Sequence, residues 1–500
     1  MSMQHMREKT GFFLGPILFI SILLMPLPQG MKPEALKVAA VTVLMAVWWI
    51  TEAIPLPATS LLPIALFPLL GVMKSKAATA PYANHLIYLF MGGFFIAVTM
   101  EKWNLHKRVA MHIVNLVGTS PGRLILGFMI ATAFLSMWVS NTATAMMMVP
   151  IGLAVIKKAN EDSANADPGS GSALSANFGV ALMLGIAYSA SIGGVATIIG
   201  TPPNVVMVSM LDKMYGQSIS FFDWMLFGVP LATVMIALAW FLLTKILFSF
   251  KGDVLAGGKE YIHAELARLG KTTPEEKKIL IIGGFVCAFW IFRGFLNIPA
   301  LKYVHDATIG ILGAGLLFIT PTNFNEQKFL LDWKTAVKIP WDIILLFGGG
   351  LALANGFSKS GLAVWLATQL TGLQGTNMLM FIGIVVVMVV FLTEITSNTA
   401  TATLLVPIMG SAAVALGIHP FGPIIAGCVS ASFAFMLPVA TPPNAVVFGS
   451  GCLTIPQMAK AGIWLNIIGS LIVTAAIVYG VPLIWGIDLS QLPAWALAAQ

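Results

Sequence analysis

The phrase SNTATA occurs at 140–145 and again at 397–402, inside two of the most apolar stretches of the chain. Ser, Asn and Thr compete with the backbone for hydrogen bonds and favour helix caps over helix interiors. Each copy runs into an apolar sequence, MMMVPI or TLLVPI, so each can cap a helix that begins at Ala143 or Ala400. The free N–H groups and positive dipole end of such a helix attract an anion. The hydroxyls of Ser140 and Thr142 and the amide of Asn141 add donors. The same side chains offer oxygens, which a hard cation such as Na+ takes as ligands.

A second phrase, TPPN, occurs at 201–204 and 441–444. Paired prolines remove backbone donors and disfavour helix before them, so the backbone around Gly200–Pro203 and Ala440–Pro443 is expected to unwind. Irregular backbone at membrane depth is tolerated where it lines a cavity or is buried in protein. The freed carbonyls of Gly200 and Ala440 are candidate cation ligands, and Thr201 and Thr441 can give hydroxyls to an anion.

Residues 124–156 and 177–210 carry no charged side chain, and in 374–445 the only acid is Glu394 and the only histidine His419. No Lys or Arg waits there to neutralise an anion. Helix dipoles and co-bound cations must do so, which predicts cation coupling on electrostatic grounds. Glu394 is expected to hydrogen-bond the hairpin backbone in preference to carrying a coupling proton, although buried membrane acids often do the latter. Glu52, His85, His305 and Asp342 are placed at helix ends near the interface and given no role. The glycines of LFMGGFF and LFGGGLA are read as close-packing positions. A small polar patch in a membrane helix is commonly interhelical packing; its duplication beside matched TPPN phrases points to a site.

These phrases need membrane helices to position them. Hydrophobic residues make up 58% of the 500, charged residues only 9%, and mean hydropathy is +0.90. A soluble domain carries about a quarter charged residues, so most of this surface must face lipid. The net charge of +7 is spread over short loops, as in cytoplasmic loops of membrane proteins, and is no nucleic-acid footprint. Cys287, Cys428 and Cys452 lack metal-like spacing and read as small core residues. The N-terminal run ends in MPLPQG without a small-x-small site, so a retained first helix is expected.

Spans of about 20 residues fall near 11–29, 36–52, 54–72, 84–100, 177–212, 222–248, 278–297, 305–320, 340–358, 419–450 and 462–487. Two further stretches, 122–157 and 374–418, hold SNTATA near their middles and predict re-entrant hairpins. The segment 157–177 reads as a flexible loop. The connection 251–278, with Lys251, Lys259, Arg268, Lys271, Lys277 and Lys278, is the most basic and is placed in the cytoplasm. Counting crossings puts the N-terminus inside as well, and the C-terminus outside.

LFMGGFFIA at 89–97 recurs as LFGGGLALA at 346–354, an offset of 346 − 89 = 257 that SNTATA shares (397 − 140), while TPPN recurs at 441 − 201 = 240. Ordered, matched motifs mean an internal duplication. The odd number of crossings between the copies makes them inverted, the sequence pointer to a secondary transporter.

On SMWVSNTATAMMMVPI (136–151), IAYSASIGGVATIIGTPPNVV (186–206), TEITSNTATATLLVPI (393–408) and VATPPNAVVFG (439–449), the chain resembles the divalent-anion:sodium symporter family. The resemblance implies an all-α polytopic membrane protein with about 11 transmembrane helices and two re-entrant hairpins. It implies a homodimer working as an elevator-type secondary transporter, and no enzyme. Scaffold helices would occupy 1–83 and 278–320, the inverted repeats 84–248 and 340–487, a basic cytoplasmic connection 249–277, and a tail 488–500.

Asn141, Thr142, Asn398 and Thr399 would bind the substrate carboxylates, with Thr201 and Thr441 beside them and Ser140, Ser397, Pro202 and Pro442 completing the substrate set. One co-transported Na+ would sit with Ser136, Ser140, Asn141 and the Gly200 carbonyl. The second would sit with Thr393, Asn398 and the carbonyls of Thr396 and Ala440. The expected function is Na+-coupled symport of C4-dicarboxylates such as succinate, malate and fumarate across the cell (inner) membrane. The alternatives are a Na+-independent or H+-coupled dicarboxylate exchanger and a citrate or sulfate carrier. No organic cofactor and no nucleic acid is expected. A channel would need no Na+ gradient. An enzyme is disfavoured because no Ser/Lys dyad, paired Asp or HExxH lies in the apolar segments.

Overall fold

A computed structural model describes residues 3–118, 120–164, 176–250, 258–293, 303–369 and 377–498. It is almost wholly helical; among the described residues the only sheet is a two-stranded antiparallel hairpin, Pro321–Asn323 with Lys328–Phe329. The connections expected at 157–177 and 251–278 lie partly outside the described residues.

The helices that position the site are α1 (Met3–Leu24), α2 (Pro33–Thr51), α3 (His85–Lys102), α4 (Leu105–Val117), α5 (Pro121–Ser136), α6 (Asn141–Ala164), α7 (Ala176–Val195) and α8 (Pro202–Tyr215). They continue with α9 (Phe221–Phe241), α10 (Pro274–Phe292), α11 (Asp306–Ile319), α12 (Trp341–Ser360), α13 (Leu362–Gln369), α14 (Met378–Thr393), α15 (Asn398–Leu416), α16 (Phe421–Ser430), α17 (Pro442–Gly449) and α18 (Ile455–Ala475).

Seven continuous helical stretches among the described residues are long and apolar enough to cross a bilayer: 33–51, 75–102, 177–195, 221–247, 341–360, 398–416 and 455–485. The span expected at 54–72 is different. Pro55, Pro57, Pro63 and Pro68 break it into short helices, Leu56–Thr59 and Leu62–Leu69, because proline tolerates the first turn of a helix and disrupts its interior. Sequence periodicity also missed α4 and α13. These connect the repeated helices α3 and α12 to the hairpins, and their first residues, Leu105 and Leu362, keep the offset of 362 − 105 = 257. The tail expected at 488–500 packs over the α15–α16 turn: Leu489 and Ala496 are buried, and the Trp495 ring meets Tyr215, His419 and Phe421.

The repeated glycines are close-approach points. A Cβ on Gly92 of α3 would lie 2.7 Å from the Gly310 carbonyl oxygen of α11, and one on Gly349 of α12 would lie 2.5 Å from the Ser60 carbonyl oxygen. Helix α7 is buried on every side from Phe178 onward. A helix apolar all round belongs at the centre of the molecule, and its C-terminal end supplies the first break.

Both hairpins are helix–turn–helix units whose tips are the two SNT phrases. α5 stops at Ser136 and α6 starts at Asn141; α14 stops at Thr393 and α15 starts at Asn398. Both broken helices are also present. The irregular backbone covers 196–201 and 431–441, ahead of the prolines. Pro202, Pro203, Pro442 and Pro443 open the next helix, so the expected unwinding at Gly200–Pro203 and Ala440–Pro443 is displaced toward the N-terminal side. Proline at the first helical position has no hydrogen bond to lose and a preset φ.

Candidate functional site

The first tip is built around Asn141. The Ser136 hydroxyl donates to the Ala190 carbonyl at 2.6 Å and stands 2.5 Å from the Asn141 side-chain oxygen. That same amide atom is 3.1 Å from both the Gly200 and Ala190 carbonyl oxygens. One hydroxyl hydrogen cannot serve this many oxygens. The position takes either the Asn141 amide turned to point its N–H groups inward or a cation among the four oxygens. Gly194 makes room, since a Cβ there would lie 2.7 Å from the Asn141 oxygen.

The second tip repeats the arrangement. The Thr393 hydroxyl lies 2.6 Å from the Asn398 side-chain oxygen and 3.0 Å from the Ala431 carbonyl. Ala190 lies in the C-terminal part of α7 and Ala431 caps α16, the first halves of the two broken helices. Their carbonyls were absent from the sequence reading, although the SAS triplet around each is repeated at 189–191 and 430–432. Among the described residues no three His, Cys, Asp or Glu side chains cluster as metal ligands. A cation here meets neutral oxygens only, a donor set suited to a hard alkali ion and not to a transition metal.

One cavity of about 1180 Å³ collects most of the expected residues: Ser140, Asn141, Thr142, Gly200, Thr201 and Pro202 from the first repeat, and Thr396, Ser397, Asn398, Thr399, Ala440, Thr441 and Pro442 from the second. Ser136 and Thr393 stand behind the tips, fully buried. Two hydroxyls at the tips also make local bonds. The Ser140 hydroxyl accepts from the Ala143 N–H at 3.2 Å as a cap. The Thr396 hydroxyl bonds the Leu392 carbonyl at 2.9 Å and the Thr401 hydroxyl at 2.6 Å.

The last residue of each TPPN phrase secures the broken backbone. The Asn204 amide donates to the Val195 and Thr197 carbonyls at 3.2 and 2.8 Å, and the Asn444 amide to Ala434 and Leu437 at 3.1 and 3.0 Å. Buried carbonyls released from a helix need such partners. The repetition of this asparagine in the two phrases was the signal that could have found it.

Glu394 lies at the second tip, buried. Its carboxylate accepts from the N–H groups of Phe435, Met436 and Leu437 at 2.7, 2.9 and 3.2 Å and from the Asn466 amide at 2.7 Å. Those partners make it the anchor of the second break: its role is structural, as expected, but the backbone it holds is that of the broken helix and not of the hairpin.

The cavity's mouth carries Arg7, Glu8, Glu52, Glu101, Lys338 and Asp342. They come from the start of α1, the end of α2, the end of α3, and the start of α12 with the loop just before it, all on the face that holds the N-terminus. Glu52 and Asp342, given no role from the sequence, line this opening. His85 and His305 instead face one another with ring centroids 5.3 Å apart.

A helical membrane protein with two hairpin tips and two broken helices converging on one cavity is a membrane transporter. Residues 8–486 match the family described as the sodium:sulfate symporter transmembrane region, and the chain belongs to this family of divalent-anion:sodium symporters. It is 45% identical over 488 residues to the sodium-dependent dicarboxylate transporter SdcS of Staphylococcus saprophyticus, covering 97% of this chain and 93% of the relative. With the SdcS of Staphylococcus aureus the identity is 44% over the same shares. The crystal structure of the YdaH transporter of Alcanivorax borkumensis shares the fold with a TM-score of 0.56 at 13% identity, over 90% of this chain and 99% of that one.

Proposed function

We propose that the chain is a Na+-coupled symporter of C4-dicarboxylates that works by alternating access. The observation that carries the reading is the paired oxygen cluster: Ser136, Asn141, Ala190 and Gly200 at one tip, Thr393, Asn398 and Ala431 at the other. Each tip offers a cation its oxygens from behind and an anion its helix N-terminus from the cavity. Asn141, Thr142, Asn398 and Thr399 hold the two carboxylates, and Thr201 and Thr441 stand beside them. Co-bound Na+ supplies the positive charge that the cavity's inner wall lacks.

The basic 251–278 connection and the N-terminus are assigned to the cytoplasm, so this conformer is open inward. A homodimer whose hairpins and broken helices move against a scaffold follows from the family resemblance. The names of the relatives support both the cation and the substrate class. H+ coupling through Glu394 is disfavoured because its oxygens are committed to three backbone N–H groups and Asn466.

The test is uptake of radiolabelled succinate into proteoliposomes with Na+, K+ or choline outside. Uptake is expected with Na+ alone. Uptake indifferent to Na+ would overturn symport and leave an exchanger.

A further inference from the structure

Helices α1 and α2 run antiparallel and meet closely near the cavity mouth, where a Cβ on Gly11 would fall inside the Thr51 side chain. One turn earlier on α1, Arg7 comes beside Glu52. Glu52 ends α2 with left-handed backbone, φ 53° and ψ 34°, a conformation that glycine or asparagine adopts at less cost. Such strain persists only where its surroundings hold it. Here it brings the Glu52 carboxylate within 3.6 Å of an Arg7 guanidinium nitrogen.

The other end of that guanidinium reaches a different part of the molecule. Arg7 Nη1 donates to the Ile395 carbonyl oxygen at 3.1 Å. Ile395 follows the C-terminal end of α14, next to Glu394 and two residues before the SNT phrase. Carbonyls at a helix C-terminus lack intrahelical donors and favour a cation. Arg7 therefore ties the N-terminal pair of helices to the second tip at the rim of the open cavity. The tie is partial, because Arg7 Nε is buried without a hydrogen-bond partner among the described residues.

We propose that Arg7, steadied by Glu52, is a latch that holds the second SNT tip with the cavity open toward the N-terminal face. Release of Ile395 is then a step in turning the site to the opposite face. The inference rests on the transport reading above, since a site that never changes face has no need to let go. Neither residue touches the substrate; both act on the position of the tip.

The test uses the full chain with Cys287, Cys428 and Cys452 replaced and a single reporter, Val98→Cys, in the cavity wall. The protein is reconstituted with known orientation, and a membrane-impermeant maleimide is added from the N-terminal face, without Na+ or dicarboxylate. Arg7→Ala is expected to slow labelling on the order of tenfold, the loss of one charge-assisted hydrogen bond. Glu52→Gln should slow it less, and Arg7→Lys should restore most of the rate. Labelling that is unchanged or faster in both Arg7→Ala and Glu52→Gln overturns the latch. If Arg7→Ala does not assemble, Glu52→Gln decides alone: slower labelling supports the latch, and unchanged or faster labelling overturns it. Because labelling requires no transport, a wild-type protein that fails to take up succinate would overturn the functional reading while leaving this measurement to judge the latch.

Discussion

The two broken helices solve one problem at two scales. In the first repeat the irregular backbone spans 196–201, and neutral groups satisfy it. Thr197 donates to the Met137 carbonyl at 2.6 Å and accepts from Gly200 N–H at 3.0 Å, while the Trp224 indole and the Asn204 amide take the Val195 carbonyl at 2.9 and 3.2 Å. In the second repeat the break spans 431–441 and turns three consecutive N–H groups inward. Only a carboxylate accepts from three converging donors at once, since successive N–H groups form an anion-binding concavity. Glu394 supplies it where the first tip has Met137 (394 − 137 = 257). A short break exposes carbonyls that amides can take, whereas a long one also exposes donors that need a charge. The oxygen cluster is duplicated, and the support behind it is not.

The strongest test of the duplicated part removes its centre. Asn141→Ala and Asn398→Ala are each expected to abolish Na+-driven succinate uptake while the purified protein stays monodisperse. Asn141 stands with Ser136 against the Ala190 and Gly200 carbonyls, and Asn398 bonds the Thr393 hydroxyl that reaches Ala431, so neither half substitutes for the other. Full activity in one variant and none in the other would break the equivalence of the two tips.

Support should separate the halves where ligands do not. Glu394→Gln keeps the size of the side chain but turns donors toward donors. It is expected to lower stability by about 2–3 kcal/mol, the worth of a hydrogen bond to a buried charge. Met137→Leu, at the equivalent position, should cost less than about 1.5 kcal/mol, as volume-conserving swaps do. Thermal unfolding in detergent gives both values, and equal losses would contradict the asymmetry.

A smaller effect is expected at the hydroxyls behind the tips. Ser136→Ala and Thr393→Ala should each raise the Na+ concentration for half-maximal uptake about tenfold, the equivalent of ~1.4 kcal/mol. The exchanges Ser136→Thr and Thr393→Ser should restore it. A change in apparent dicarboxylate affinity with no change for Na+ would place these hydroxyls in the wrong half of the site.

How much of this could be read in the sequence divides along the same line. The duplicated elements were legible because each carries its own punctuation: SNT at a helix start, TPPN at a restart, glycine pairs at a crossing. The Gly200 carbonyl follows from the prolines of TPPN, which free it, and the hydroxyls of Ser136 and Thr393 from the family resemblance. The Ala190 and Ala431 carbonyls have no proline to free them, and only the repeated SAS triplet around each marks them. The partners of Glu394 lie 41 to 72 residues away along the chain, so no local pattern announced them. The span expected at 54–72 is two short helices because an apolar run does not register what its prolines do to helix geometry. Glu52 and Asp342 passed as interface residues because nothing in their local sequence shows that the ends of α2 and α12 meet at one opening.

The smallest expected difference lies where the repeated helices end. Lys102 closes α3, and its counterpart Lys359 stands near the end of α12 (359 − 102 = 257). Lys102 reaches Asp332 at 2.6 Å and the Leu330 carbonyl at 3.1 Å. Lys359 is exposed and has no partner among the described residues. The Lys102 ammonium holds the Asp332 carboxyl down at about 2, helped by the Thr335 N–H. A carboxyl lowered on folding adds stability above its unfolded value near 4, and that contribution fades as pH falls through the folded value. The Asp332 side chain is 48% exposed, so solvent screening keeps the contribution below about 1 kcal/mol. Lys102→Ala should therefore lower the unfolding temperature slightly at pH 7, and its gap from wild type should narrow below pH 4. Lys359→Ala should stay within about 0.5 kcal/mol of wild type at every pH. A gap for Lys102→Ala that persists unchanged into acid would mean that its bond to the Leu330 carbonyl, and not the ion pair, ties the end of the first repeat's helix to the loop before the second.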